Sequence, residues 1–194
     1  ILLFQINNPG KIPNIIDFGG ACGENIILLS TIFGEEIFKT SWILESPTHS
    51  KTSKLFEFSR NIQFESNLED LLNRKKIDIF YTSCAIHYLK DPYFPLKLIA
   101  RRKIPIICLT RNNFSINPKY YAQVSNISSS GAGEHLNNFK DREIWLPTAS
   151  ISESKVKDIF KKWNYKLKIE SKGVESGIIS KKDGYSLDLC FSLL

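Results

Sequence analysis

Two carboxylates and three glycines near the start of the chain have the types and spacing of a ligand-binding site. Asp17 ends a run of apolar β-forming residues, and Gly19, Gly20 and Gly23 follow it. Because glycine accepts a positive φ and has no Cβ, such a turn lets backbone N–H groups approach a ligand closely. Glu45 ends the next apolar strand, 22 residues after Gly23. That separation suits a carboxylate that binds the ribose hydroxyls of a nucleoside cofactor.

Alternating strands and helices are predicted to position these residues. Apolar runs rich in β-forming residues predict five strands, over about 14–18, 41–45, 62–65, 77–83 and 104–110. Between them, the sequence predicts helices over about 24–33, 50–59, 68–72 and 94–102. The fourth strand is mostly apolar along its length, which is typical of a strand covered on both faces. This alternation predicts a parallel sheet with helices on both faces.

The rest of the chain departs from this alternation. Residues 112–150 are rich in Asn, Ser and Gly, and loops this long in a compact domain are usually functional lids or disordered. An amphipathic helix over about 152–163 follows, and two strands over 165–169 and 185–193 close the chain. We therefore predict one domain over residues 1–194, with a cofactor-binding half (12–111), a lid or substrate segment (112–150) and a closing helix and strand pair (151–194).

Composition narrows the classes of partner. No apolar run approaches the roughly 20 residues of a transmembrane helix, so we expect no membrane span and a cytoplasmic protein. The net charge is +6, and residues 101–194 carry 16 basic and nine acidic side chains. This asymmetry can mark an anionic partner, but the lysines are dispersed and no RNA-binding motif accompanies them, so a nucleic-acid partner is less favoured than a lysine-rich surface. The sequence contains no methionine, and we expect its first residues to belong to a longer upstream segment.

The four cysteines, Cys22, Cys84, Cys108 and Cys190, are far apart in the sequence, and none belongs to a C-x-x-C pair. Zinc sites usually draw their ligands from such close pairs, and no carboxylate cluster suits another metal. We therefore expect buried, reduced thiols and no metal site.

Three features together resemble the class I S-adenosylmethionine-dependent methyltransferases. They are the motif Asp17-x-Gly19-x-Ala21-x-Gly23, Glu45 at the end of the second strand, and the closing strand pair. The resemblance implies an α/β fold with a Rossmann-like, doubly wound, seven-stranded and mostly parallel sheet whose last strand is antiparallel. It also implies S-adenosylmethionine as the cofactor. Ala21 stands where the family has its central glycine, and we expect alanine to be tolerated there if its φ is negative.

Four segments resemble, more narrowly, a poorly characterised bacterial group of methyltransferases often associated with surface-polysaccharide synthesis. These segments are Ile16–Gly20, Trp42–Pro47, Thr82–Pro92 and Leu109–Phe114. This narrower resemblance supports the cofactor far better than it supports the substrate.

The family resemblance also implies roles for residues on the cofactor side. The glycine-rich turn would lie beside the methionine part of the cofactor, and Asp17 would help to orient its amino group. Glu45 would bind the ribose diol, and either Glu65 or Ser66 would lie near the adenine. The end of the fourth strand lies where ligands collect in open α/β sheets. The expected cofactor-binding residues are Asp17, Gly19, Gly20, Gly23, Glu45, Ser66, Ser83 and Cys84.

Methyl transfer from a sulfonium is an in-line displacement, so the enzyme needs alignment and, for a hydroxyl acceptor, a base. His87 and His135 are the candidate bases, because a neutral imidazole suits proton removal near pH 7; a packing residue and a surface-loop histidine are the alternatives. Arg111 could pair with an acidic acceptor or form an internal salt bridge. Tyr121 could stack on a sugar or close the sheet edge.

These features lead to one functional hypothesis and two alternatives. The hypothesis is S-adenosylmethionine-dependent O-methyl transfer to a small polar acceptor, such as a hydroxyl of a sugar or glycan precursor. The alternatives are a non-catalytic methyltransferase-like binding module and an RNA methyltransferase, the latter motivated by the basic C-terminal half.

Overall fold

A seven-stranded sheet forms the centre of the molecule. The structure is a computed structural model that describes residues 1–53, 61–130, 141–172 and 184–194. The strands of this sheet are β1 (Asn14–Phe18), β2 (Thr40–Leu44), β3 (Ile62–Glu65), β4 (Ile79–Ser83), β5 (Ile106–Phe114), β8 (Tyr165–Lys172) and β9 (Tyr185–Leu193).

The strand order is β3-β2-β1-β4-β5-β9-β8. Neighbouring strands from β3 to β5 pair in parallel, whereas β9 pairs antiparallel with both β5 and β8. This arrangement confirms the predicted fold class, a doubly wound and mostly parallel sheet whose last strand is antiparallel. Because the chain turns to opposite sides of β1, the carboxyl ends of β1 and β4 meet at the point where open sheets bind ligands.

Helices cover the sheet and connect its strands, and two of them begin at a residue whose side chain caps the helix. Asn67 Oδ1 accepts a hydrogen bond from the Asp70 N–H at 3.1 Å, and Ser152 Oγ accepts one from the Lys155 N–H at 3.2 Å. The helices are α1 (Leu2–Asn7), α2 (Glu24–Phe33), α3 (Pro47–Ser53), α4 (Leu68–Arg74), α5 (Tyr93–Arg101), α6 (Ile127–Ser130) and α7 (Glu153–Lys162), with 3₁₀ turns at Glu35–Ile37 and Ile86–Tyr88. The helix predicted over 50–59 begins earlier, at Pro47, and its predicted residues 54–59 lie outside the described residues.

The expectation of a loop without secondary structure over 112–150 is wrong. Strand β5 continues to Phe114, and an antiparallel hairpin follows, formed by β6 (Tyr120–Asn126) and β7 (Glu143–Ala149). Residues 131–140, between α6 and β7, lie outside the described residues. Along β6 the side chains alternate between half-buried and exposed, because only one face of the hairpin packs on the body of the molecule.

Apolar neighbours in each central strand point to opposite faces of the sheet and build two hydrophobic cores. Ile16 and Phe80 belong to one core, whereas Ile15 and Ile79 belong to the other, and all four are almost fully buried. A sheet that is covered on both faces explains why β4 is mostly apolar in sequence. Within the described residues, no helix has the length and apolar character needed to span a membrane.

Candidate active site

The glycine-rich turn joins β1 to α2 with a backbone that needs two of its glycines. Gly19 has φ +71°, and a Cβ added to it would overlap with the Cβ of Ala85, in the segment after β4. Gly23 has φ +85° in the left-handed region and is the N-cap of α2. The turn therefore packs directly against the end of β4, which brings two of the predicted site segments together.

Ala21 does not have the negative φ on which its tolerance was expected to depend. Its φ is +48°, a left-handed conformation that costs an L-residue roughly 1–2 kcal/mol. In this conformation the N–H of Ala21 donates a hydrogen bond of 2.8 Å to Oε1 of Glu45. The strained residue thus ties the turn after β1 to the carboxylate that follows β2.

Asp17 is a buried acid that has no counter-charge among the residues the structure describes. Only 1% of its surface is exposed, and among the described residues neither of its side-chain oxygens has a hydrogen-bond donor with normal geometry. Burial is the main cause that raises the pKa of Asp17 to about 7, and the negative charges of Glu24 and Glu45 raise it further. The nearby amide of Asn25 lowers the pKa and so opposes the shift. A Cβ added to Gly20 would lie 2.6 Å from Cγ of Asp17, so only glycine leaves room for this carboxyl.

Glu45 accepts hydrogen bonds from three groups around the end of β2. Besides the Ala21 N–H, these are the Ser46 N–H at 3.0 Å and Nδ1 of His49 at 3.3 Å, both to Oε2. A carboxylate offers about four lone-pair positions, so Glu45 can take one more donor without losing a partner. A ligand that bonds to both of its oxygens would have to displace one of the present donors.

Of the two residues after β3 that the sequence left as alternatives, only one lines a cavity of about 510 Å³. Ser66 lines this cavity together with Phe18 and Leu44. Glu65 instead pairs with Arg74, with Oε1 and Nη2 3.0 Å apart. The cavity lies at the carboxyl ends of β1 and β2, where the resemblance expects the adenine.

The end of β4 holds a thiol and an imidazole in contact. Cys84 has φ +55°, and its Sγ lies 3.7 Å from Nε2 of His87. His87 is fully buried, and burial lowers its pKa to about 4, although the side chain of Asn112 opposes the shift. His87 is therefore neutral at pH 7. Ser83, the last residue of β4, pairs in the sheet with Thr110.

The inner face of the hairpin adds neutral polar groups beside Cys84. Nδ2 of Asn113 donates a 3.2 Å hydrogen bond to the hydroxyl of Tyr121, and the hydroxyl of Tyr88 donates to Oε1 of Gln123 at 3.4 Å. Burial is the main cause that raises the pKa of the Tyr88 and Tyr121 hydroxyls. The nearby Cys84 raises both pKa values further. Tyr88, Asn113 and Gln123 were missed from the sequence, and the weak polar alternation of β6 was the signal that could have pointed to Gln123.

Besides His87 and Tyr121, the residues predicted for the acceptor side are Arg111 and His135. Arg111 is exposed at a bulge between β5 and β9, with φ +55°, and its backbone N–H donates a 2.8 Å hydrogen bond to Asp188. His135 lies outside the described residues. The structure therefore places Tyr121 with the polar cluster at Cys84, and it places Arg111 on the far side of β5 from β4.

The cysteines are less buried than expected. Cys190 is buried, Cys84 and Cys108 are partly exposed, and Cys22 is exposed on the glycine-rich turn. Across the part of the chain that the structure describes, no three His, Cys, Asp or Glu side chains converge in a way that could hold a metal ion.

No known family model and no curated protein matches the chain. Solved structures do match it. An S-adenosylmethionine-dependent methyltransferase from Clostridium acetobutylicum has a TM-score of 0.62 at 12% identity, covering 99% of this chain and 88% of that one. An S-adenosylmethionine-dependent methyltransferase from Mesorhizobium loti has a TM-score of 0.57 at 11% identity, covering 98% and 96%.

A third similar structure is that of CalS10, an amino pentose methyltransferase from Micromonospora echinaspora with S-adenosylmethionine bound. Its TM-score is 0.59 at 9% identity, covering 98% of this chain and 87% of that one. Each of the three likenesses covers at least 98% of this chain. The chain has the class I methyltransferase fold. At these identities the likeness concerns the fold, and function has to be argued from the site.

Proposed function

We propose that this protein binds S-adenosylmethionine at the carboxyl ends of β1 and β2 and transfers its methyl group to a small polar acceptor. The observation that carries the proposal is Asp17, whose two buried oxygens have no donor among the described residues. A buried carboxyl in this state fits a ligand that brings a positive charge and N–H donors. The ammonium group of the cofactor's methionine part has both.

The residues around Asp17 fit the other parts of the same ligand. Glu45 would accept the ribose hydroxyls, for which it has one lone-pair position left and a second if Ala21 N–H moves away. Ser66 and Phe18 line a cavity with room for the adenine. When bound, the cofactor supplies a methyl group on a sulfonium; the chain's part is to bind it, to align the acceptor and to exclude water.

For the acceptor, we propose a neutral molecule with hydroxyl groups, such as a sugar or glycan precursor. The polar groups gathered at the end of β4 and on the hairpin are phenols, amides and a thiol: Cys84, Tyr88, Asn113, Tyr121 and Gln123. Such groups exchange hydrogen bonds with hydroxyls but do not neutralise a phosphate or carboxylate.

The proton of an acceptor hydroxyl needs a base, and the two candidate histidines differ in what they predict. With a pKa of about 4, His87 would already be in its basic form across the neutral range, so kcat would not change between pH 6 and 8. A rise in kcat through about pH 6.5, the ordinary pKa of histidine, would favour another base such as His135, and a pH-independent kcat would favour His87 or no histidine.

Calorimetry with S-adenosylmethionine and S-adenosylhomocysteine tests the cofactor site. Glu45→Gln should weaken binding roughly 5- to 150-fold, because charge-assisted hydrogen bonds contribute about 1–3 kcal/mol. Glu65→Gln is the matched control, since Glu65 pairs with Arg74 outside the cavity, and it should bind like the wild type. Absence of binding at millimolar ligand would contradict the proposal.

The acceptor class is tested by measuring S-adenosylhomocysteine release with three kinds of acceptor. A neutral sugar, an acidic sugar and a short RNA, each at equal concentration, separate the neutral-hydroxyl acceptor from an anionic one. We expect turnover with the neutral sugar. Turnover with RNA alone, lost as the salt concentration rises, would support the RNA methyltransferase instead.

One contact favours the non-catalytic alternative. The bond from Ala21 N–H to Glu45 closes the glycine-rich turn onto the carboxylate that the ribose would need. If the turn stays closed, the protein would keep the methyltransferase fold but would not transfer a methyl group. Cofactor binding without turnover for any acceptor would support this alternative, whereas turnover would exclude it.

A further inference from the structure

Two cysteines face each other across the centre of the sheet, away from the proposed cofactor site. Cys108 lies in β5 and Cys190 in β9, at directly opposed positions of this antiparallel pair. Their sulfur atoms are 3.1 Å apart. The other two cysteines, Cys22 on the glycine-rich turn and Cys84 after β4, belong to different parts of the fold.

The backbone geometry at this pair allows a disulfide bond. Directly opposed residues of antiparallel strands have Cα atoms about 4.5 or 5.5 Å apart, depending on the hydrogen-bonding pattern. Both values lie within the range of about 4.4–6.8 Å seen in disulfides. With a bond length of about 2.05 Å, the two sulfurs have to approach by about 1 Å, which side-chain rotation can provide without breaking the strand pairing.

The surroundings of the pair let an oxidant reach it. Both thiols line an apolar cavity of about 520 Å³ between the sheet and the N-terminal residues, and Cys108 is partly exposed. The hydrogen bond from Cys108 lowers the pKa of Cys190, whereas the same contact and burial raise the pKa of Cys108. Cys190 is therefore the thiol that loses its proton first and reacts first.

We propose that Cys108 and Cys190 are a covalent modification site, at which a peroxide or a small disulfide converts the two thiols into a reversible intramolecular disulfide. With hydrogen peroxide, the Cys190 thiolate attacks one peroxide oxygen, which gives a sulfenic acid and hydroxide. The Cys108 sulfur then attacks the Cys190 sulfur, and the hydroxyl group leaves as water with the thiol proton. In total, two thiols and one peroxide give one disulfide and two water molecules.

The bond would join the two strands on which the acceptor side depends. Strand β5 carries Asn113 to the polar cluster, and β9 pairs with β5 on both sides of the bulge at Arg111. A cross-link between residues 82 positions apart removes much of the freedom of the unfolded chain. Oxidation should therefore stabilise this half of the sheet, independently of whether the protein is a methyltransferase.

Peptide mapping of the whole protein tests the proposal, because trypsin separates the four cysteines. Cys22, Cys84, Cys108 and Cys190 fall in the tryptic peptides 12–39, 77–90, 104–111 and 183–194. After treatment with hydrogen peroxide or oxidised glutathione, we expect peptides 104–111 and 183–194 to be cross-linked in monomeric protein, and to separate after dithiothreitol. Two unlinked peptides, a stable glutathione adduct on either cysteine, or a link through Cys22 or Cys84 would overturn the proposal.

Thermal unfolding gives a second readout that does not depend on peptide recovery. Oxidised wild type should have a Tm at least about 5 °C above that of the reduced protein, the size expected of a disulfide that closes a long loop. Cys190→Ala should show no oxidant-dependent shift, and Cys22→Ala, the matched control, should shift like the wild type. An equal Tm for oxidised and reduced wild type would contradict the proposal.

Discussion

Three residues of the candidate site adopt environments that oppose folding. Asp17 is a buried acid without a donor among the described residues, and Ala21 and Cys84 have left-handed backbones that L-residues rarely adopt. Unfavourable environments of this kind persist where the surrounding structure enforces them, and they cluster at functional sites. They lie together at the carboxyl ends of β1 and β4, which agrees with a binding site there.

Asp17→Asn should stabilise the protein in the absence of ligand at pH 8. Burial raises the pKa of Asp17 from 3.8 to about 7. Between these pH values the folded state keeps a proton that the unfolded state has lost, so the free energy of unfolding of the wild type falls as pH rises from about 4 to about 7. The variant should lack this fall and exceed the wild type at pH 8 by about 4 kcal/mol, since one pKa unit corresponds to about 1.4 kcal/mol.

Urea unfolding at pH 5 and pH 8 measures this effect. Glu69→Gln, which removes an exposed carboxylate from α4, is the control for a general change of charge and should keep the pH dependence of the wild type. If Asp17→Asn lowers the stability at pH 8, the carboxyl has a partner that stabilises its charge. The same variant should bind S-adenosylmethionine more weakly, in contrast to its gain in stability.

Ala21→Gly should relieve the backbone strain of the glycine-rich turn. The left-handed φ of Ala21 costs about 1–2 kcal/mol, which glycine would relieve. Glycine also gives the unfolded chain more freedom, which reduces the gain in stability by about 0.4–1 kcal/mol. We expect a net stabilisation of up to about 1 kcal/mol by urea unfolding. Gly10→Ala is the reverse experiment, since Gly10 has φ +73° and no described atom within 4 Å of an added Cβ; it should destabilise by a similar amount.

At the scale of elements, the sequence predicted those strands and helices whose apolar pattern reports burial. Strands β1, β3 and β9 have the predicted bounds, because in each of them apolar β-forming residues stand between polar segments of the sequence. The β6–β7 hairpin was missed, because only one of its faces packs on the body and it contains Pro147 within β7. Contacts such as that of Tyr88 with Gln123 depend on how separate elements pack, and composition does not report that packing.

Tyr121→Phe tests whether the inner face of the hairpin binds the acceptor. The hydroxyl of Tyr121 accepts a hydrogen bond from Asn113, and its loss should raise KM for the acceptor roughly 2- to 10-fold through about 0.5–1.5 kcal/mol. The affinity for S-adenosylmethionine should not change. Tyr120→Phe is the control on the outer face, where the hydroxyl donates to the Lys90 carbonyl. An equal effect of both variants on KM would show a role in hairpin stability only.

At the scale of the whole molecule, the proposed cofactor site and a large cluster of rings lie at different ends of the sheet. The residues proposed to bind the cofactor lie at β1 and β2, whereas the cluster of rings from α7, β8 and β9 fills the core at the opposite end. Phe160 is fully buried there, with its ring centroid 4.4 Å from that of Phe191 and 5.5 Å from that of Tyr165.

Phe160→Ala should cost about 3–5 kcal/mol of the free energy of unfolding, because it leaves a cavity in this cluster. Phe33→Ala removes the same atoms from a side chain on α2 that is 64% exposed, and it should change the stability by less than about 0.5 kcal/mol. Urea unfolding of the two variants measures the difference. Equal losses would mean that the outer face of α2 is covered in solution.

The position of β9 between β5 and β8 sets an order of assembly during synthesis. Strands β1 to β5 pair among themselves, so this half of the sheet can form while the chain is still being translated. Residues 165–172 emerge before residues 185–193 but have no place in the sheet until β9 arrives. Until then β5 presents an unpaired edge, which can recruit the strands of other chains. The last strand thus completes the sheet beside the proposed acceptor site and also ends the interval in which a nascent chain is most exposed to aggregation.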